Sequence, residues 1–392
     1  MKKLKHFLSR YGWTIGTFLV AAFVLFVLFA FGTKSFLPGF SPAEVQAIQQ
    51  SKNIHNIISN PLWLPYKIAL YGWSLLGSSP YTLRYVSGLF AVLALFSFYS
   101  LAKRWYSTRV SVLTVCLFGL SSTTLTVGRI ATPAIMLYSW VLFIAAISWF
   151  RISRKVRFAP PLMLISTAFV LYIPGTFWLV ALLMVWFSRD IPHIFKHMQR
   201  GAILIGGATA LLLLLPLFYA FYADSSLVRE WLLLPHKFYL NDSIRMIRDI
   251  PAAFFYRSNM TAAYNLGRLP FFDAFSGTMF LLGLYAYRKK IRLQRTMVYT
   301  IAIITGVVLT TINNNQLYLL FILPFMYLLI GEGLSLLLNE WRYVFPRNPV
   351  ARFIGTLLLS VAVFAASSYH LNRYFLAWNN APATKVIYDQ KL

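Results

Sequence analysis

Residues 201–223 read GAILIGGATALLLLLPLFYAFYA, an apolar run without one charged side chain. As a helix rising ~1.5 Å per residue, a run of this length crosses the ~30 Å hydrocarbon core of a bilayer. Comparable runs lie near 13–32, 85–102, 110–127, 133–150, 159–173, 175–188, 274–287, 296–312, 317–338 and 353–371, about eleven in all. Lipid offers the backbone no hydrogen-bond partner, so these runs are expected to be helices. The ten-residue alternation of a membrane barrel is not seen. The expected fold class is an all-α polytopic membrane protein, with residues 1–392 forming one transmembrane domain.

Composition agrees: 59% of the 392 residues are hydrophobic and 12% charged. The formal charge of +26 reports topology rather than nucleic acid, because 22 of the 36 Lys and Arg fall in the N-terminal segment and in the short loops 103–109, 151–157, 189–200, 288–295 and 342–352. The excess of basic residues there predicts a cytoplasmic N-terminus and an outside C-terminus in the cell membrane. The Lys-rich start resembles that of a signal peptide, but the run after it is too long, so it reads as an uncleaved first span. Cys116 is the one cysteine, which excludes a disulfide framework.

The basic loops also settle two breaks. Loops 151–157 and 189–200 should share a side, so 159–188 holds two crossings divided at Pro174-Gly175. The stretch 296–338 divides likewise at Asn313-Asn314-Asn315. Two long segments, 33–84 and 224–273, and the tail 372–392 then lie outside. Amphipathic helices are expected there over Pro42–Ile58, over Leu62–Leu76 up to Gly77, and around Ile244–Phe254.

Glu44 is the sole carboxylate among the first 189 residues, and it follows the first span in Ser41-Pro42-Ala43-Glu44. Two readings stand side by side. Ser-x-x-Glu with Pro at the first helical position is a capping box. A lone carboxylate at the interface is also a candidate general base. Arg129, in a short turn between spans, suits either a phosphate or lipid headgroups. Arg84 opens a span and suits an interface anchor. His236, Lys237, Arg257 and Arg268 are candidate phosphate-binding cations in the second long segment. Asp273 precedes a span, where it can cap the helix. No Asp-x-Asp or His/Asp pair has the spacing of metal ligands, so no metal is implied.

Four stretches in order resemble the GT-C type membrane glycosyltransferases, a superfamily that includes protein O-mannosyltransferases and aminoarabinose transferases. They are Phe40-Ser41-Pro42-Ala43-Glu44; Asn60-Pro61-Leu62 with Gly77, Arg84 and Ser87; Gly128-Arg129 through Pro133; and Tyr264-Asn265 through Pro270, Asp273 and Gly277. The resemblance implies transfer of a sugar from a polyprenyl-phosphate donor to a hydroxyl of a glycan, lipid or protein acceptor outside the membrane. It implies no cofactor and no nucleic acid. It makes Glu44 the candidate base, and Asn60, Arg84, Arg129, Asn265 and Asp273 candidate substrate-binding residues. The chain departs from the pattern at Ala43 and Ala134, where the family carries Asp, and at Tyr318, where it carries Arg. These departures keep one rival in view, a non-catalytic relative of the same fold acting as a lipid- or partner-binding subunit; a second is a glycan-lipid polymerase or transporter that matches only in hydropathy.

Overall fold

The computed structural model describes residues 16, 19–77, 79–142, 144–146, 159–188, 200–235, 237–288, 290 and 293–391. Each expected span contains a helix: α1 (Leu19–Ala30), α5 (Arg84–Trp105), α6 (Thr108–Gly119) with α7 (Ser122–Arg129), α8 (Pro133–Ala146), α9 (Ala159–Leu171), α10 (Thr176–Trp186), α11 (Arg200–Ala223), α14 (Ala274–Arg288), α15 (Gln294–Asn313), α16 (Leu319–Val344) and α17 (Pro349–Asn372). The long segments add α2 (Pro42–Gln50), α3 (Ile54–Ser59), α4 (Leu64–Ser74), α12 (Ser226–Trp231) and α13 (Leu240–Phe255), and the tail adds α18 (Pro382–Ile387). Among the described residues the only β pairing is one antiparallel bridge, Phe40 with Gln390. The chain is a multi-pass, all-helical membrane protein.

Among the described residues five helices are long and apolar enough to cross a bilayer alone, and α6 with α7, bent by 61°, brings the number to six if the pair is one span. The bend has a local cause. Ser121 is extended and its side chain accepts from the Thr124 N–H, which starts a fresh helix. The other expected spans hold shorter helices. The expected breaks are present: Gly175 at φ +80 precedes α10, and Asn314 at φ +47 caps α15.

One expectation is corrected. The surface helix over Pro42–Ile58 is two helices, because Asn53 turns extended and its side chain accepts from the Asn56 N–H. The apolar spacing continues through this point, but a new cap interrupts the backbone.

Helix α16 is the axis of the bundle, with every residue from Leu319 to Leu334 buried. Its Gly333 meets the Met279 carbonyl of α14, and Gly283 of α14 meets the Leu329 carbonyl of α16, so neither position has room for a Cβ. At one end Glu332 pairs with Lys290 and Arg295, while the Tyr106 and Tyr299 hydroxyls lie 2.9 Å apart. At this end Arg295 Nη1 also donates to the Trp105 carbonyl of the 103–109 loop at 3.2 Å.

The long segments meet at the opposite end, and the tail fastens them. Phe40 and Gln390 exchange backbone hydrogen bonds of 2.8 and 3.3 Å. The Tyr388 hydroxyl donates to the Ala263 carbonyl, and Trp378 Nε1 to the Ala262 carbonyl, both at 2.9 Å. The tail thus touches both 33–84 and 224–273.

Candidate functional site

Three of the four quoted stretches converge on Glu44. Ser41 caps α2 by accepting from the Glu44 N–H at 3.3 Å, and Glu44 Oε2 accepts from the Ser41 N–H at 3.0 Å, completing the capping box. Arg84 adds two donors, Nε to Oε1 at 2.8 Å and Nη2 to Oε2 at 3.1 Å. The Ala131 N–H, in the turn after Arg129, donates to Oε1 at 2.8 Å. With the Ser41 hydroxyl at 3.4 Å, five donors surround a carboxylate that has about four lone-pair sites. Glu44 and Arg84 are both 0% exposed.

The arginines are equally engaged. Arg84 also donates to the carbonyls of Thr33 and Gly39 at 2.9 and 2.6 Å, and its guanidinium sits 4.8 Å from the Phe40 ring. It is a buried tie between α5 and the first long segment, not the interface anchor considered from sequence. Arg129 donates to the Leu28 and Phe31 carbonyls at the end of α1 and to the Tyr374 hydroxyl at 3.1 Å. Phe36, Tyr374 and Phe375 enclose it with ring centroids 4.9–5.5 Å away. Glu44 therefore folds back on its cap, with no free lone pair for the base role, and Arg129 caps a helix rather than facing headgroups.

The fourth stretch joins the same frame through α17. Arg373 Nη2 donates to Asn265 Oδ1 at 2.6 Å, and Nη1 to the Pro270 carbonyl at 2.6 Å. Asp273 caps α14 through Ser276 and takes a 3.1 Å contact from His370 Nε2. Burial opposes its ionisation, but the hydrogen bonds from His370 and Ser276 prevail and hold the carboxyl down at about 2. Arg257 and Arg268 are exposed, and His236 lies outside the described residues.

A cavity of about 640 Å³ opens elsewhere at the same end of the bundle. Four connections meet there: the α3–α4 link with Trp63, the Pro174 turn, the stretch from Glu230 to Ser243, and the α15–α16 turn with Asn313, Asn314 and Tyr318. They are stitched together by the Trp63 N–H donating to the Tyr172 carbonyl at 2.9 Å, the Gly175 N–H to Trp231 at 2.8 Å, and Asn313 Nδ2 to Leu233 at 3.0 Å. Glu230 and Lys237 are exposed and Asp242 is half-buried, so charge of both signs lines one space.

The backbone singles out this cavity. Among the described residues three non-glycine residues have positive φ: Trp63 at 64°, Leu233 at 53° and Asn314 at 47°. All three line it. Bulky side chains avoid this region, so Trp63 and Leu233 each cost about 1–3 kcal/mol that the surrounding structure must hold in place, while Asn314 stands at a helix cap where Asn is well tolerated. Behind Trp63, Lys67 is 3% exposed and its Nζ donates to the Asn60 carbonyl at 2.7 Å. Burial pushes the Lys67 ammonium down to about 8, with the charge of Glu230 opposing. Asn60 does not line the cavity itself; its side chain accepts from the Leu62 N–H at 3.2 Å and so holds the loop whose Leu62 and Trp63 do.

Of the substrate-binding candidates read from sequence, Lys237 lines this cavity, while Glu230, Asp242 and the nearby Lys67 were not among them. One signal was available: Tyr318, noted as a departure, lines the cavity.

No protein-family model matches the chain, and no curated protein does. Among solved structures, ArnT from Cupriavidus metallidurans in the apo state is similar with a TM-score of 0.54 at 12% identity, covering 97% of this chain and 77% of that one. ArnT from the same organism bound to undecaprenyl phosphate gives a TM-score of 0.51 at 12% identity, covering 96% and 77%. At such identity the likeness speaks to the fold, which is of the GT-C type expected from the sequence.

Proposed function

We propose that the chain is a membrane glycosyltransferase that uses a polyprenyl-phosphate sugar, with its reaction chamber in the cavity between Trp63, Glu230, Asp242 and Asn314. The observation that carries this reading is the gathering of all three left-handed non-glycine residues around one charged cavity. The fold agrees with it, and so does the undecaprenyl phosphate bound by a structural neighbour.

In the proposed reaction an acceptor hydroxyl oxygen bonds to the anomeric carbon of the donor sugar. The carbon–oxygen bond to phosphate breaks, and its electron pair leaves with the polyprenyl phosphate. The hydroxyl proton passes to Glu230 or Asp242, the two carboxylates lining the chamber. Lys237 offsets the charge growing on the departing phosphate. Glu44, Arg84 and Arg129 hold the frame. The cavity faces outward in the orientation implied by the basic loops.

Release of polyprenyl phosphate by protein in lipid nanodiscs tests the reading. Glu230→Gln or Asp242→Asn, whichever removes the base, should lower turnover by roughly 10²–10⁴-fold. Unchanged turnover in both variants would remove the chamber from consideration. The non-catalytic relative keeps one observation in its favour, the Glu44 carboxylate saturated by internal donors. Donor binding by wild type without turnover on glycan, lipid or peptide acceptors would favour it.

A further inference from the structure

A second cavity, of about 810 Å³, lies between α14 and α17. α17 is long and apolar enough to cross a bilayer and α14 fills the expected span 274–287; Leu281, Phe364 and Tyr369 on them are 57%, 73% and 46% exposed, which places the cleft on the lipid-facing side. Its walls are small or aromatic, with Gly277, Ala362 and Ala366 facing Phe255 and Phe275. Asp273 is the one charged residue lining it. The cleft is separate from the proposed chamber. Ser243 lines that chamber and Phe255 this cleft, and along α13 they stand about 18 Å apart at ~1.5 Å per residue.

The carboxylate at the polar end has spare capacity. Oδ2 accepts from the Ser276 hydroxyl at 2.6 Å and from His370 Nε2 at 3.1 Å, while Oδ1 accepts only the Ser276 N–H at 3.0 Å. A carboxylate takes about four donors, so Oδ1 has a place for another. Charge at the edge of a bilayer normally meets a partner. Arg373, bonded to the Pro270 carbonyl, offsets part of this charge from behind, but the carboxylate oxygen itself favours a headgroup bearing N⁺–H groups through a charge-assisted hydrogen bond.

We propose that this cleft binds a membrane phospholipid with a primary-amine headgroup, its ammonium against Asp273 and an acyl chain between α14 and α17. The volume falls within the usual range of ~300–1,000 Å³ for a small-molecule site.

Native mass spectrometry of the full chain, equilibrated with equal phosphatidylethanolamine and phosphatidylglycerol, reads the outcome directly. Wild type should retain phosphatidylethanolamine over phosphatidylglycerol by roughly tenfold, the scale of one hydrogen bond to a charged group. Asp273→Asn preserves a helix cap and should erase the preference. Gly277→Leu should lower retention of phosphatidylethanolamine by filling the cleft, since a first added carbon there meets only the Phe255 ring at 3.5 Å. Equal retention of the two lipids by wild type overturns the proposal, as does an undiminished preference in both variants. The readout involves no sugar transfer, so it stands or falls apart from the enzymatic reading.

Discussion

The two sides of the long-segment end solve opposite problems. Around Glu44 every polar atom of the carboxylate and its arginine is matched, aromatic rings close the gaps, and the groups are shut off from solvent. Around Trp63, Leu233 and Asn314 the backbone is held in left-handed conformations and exposed charges face an open space. The first region has the properties of a frame and the second those of a working site. The difference teaches that motif residues and reactive residues need not coincide: the stretches that resemble a family here mostly build the scaffold.

Stability measurements can break or sharpen this contrast. The largest effect is expected in the frame. Glu44→Gln or Arg84→Met alone should cost about 3–5 kcal/mol by leaving a buried partner unmatched, and the double variant should cost less than the sum of the two. Thermal unfolding of detergent-solubilised protein checks this, and additive losses would refute the pairing.

Asp273 should give a smaller, pH-dependent effect. Its folded carboxyl titrates near 2 against an ordinary 3.8, so its contribution is complete above that ordinary value and is lost as pH falls toward the folded one. After allowing for solvent screening the loss is on the order of 1 kcal/mol. Asp273→Asn should flatten this part of the pH–stability curve, and an unaltered slope would contradict the assignment.

In the cavity the sign should reverse. Asn314→Gly should stabilise by about 0.5 kcal/mol, since glycine takes the left-handed cap without steric cost. A loss of stability would show that the Asn314 side chain is needed. Smallest of all, Glu230→Gln and Asp242→Asn should stay within about 0.5 kcal/mol of wild type, whatever they do to turnover.

Much of the fold was legible because its signals are local. The apolar runs, the Ser41-x-x-Glu44 cap, the Pro174-Gly175 turn and the Asn313–Asn315 break each act within a few residues, and the structure places each of them. The cavity was not legible, because it is assembled from four connections far apart in the chain. Glu230 and Asp242 look like ordinary loop acids until those connections meet. The role of Arg129 was hidden for a similar reason, since its acceptors are carbonyls about a hundred positions earlier. The split of the surface helix at Asn53 was hidden by apolar spacing that runs on unchanged. Nor does composition reveal that Arg373, Tyr374, Trp378 and Tyr388 tie the tail to everything before it.

That tie has a consequence for how the protein is made. Phe40 leaves the ribosome early, yet its backbone partner Gln390 lies beyond α17. Ala262 and Ala263 likewise wait for Trp378 and Tyr388. Until α17 has been inserted, both long segments lack their common fastening. Docking of both segments should therefore wait for the insertion of α17, and a nascent chain stalled before it should present these segments to proteases and chaperones.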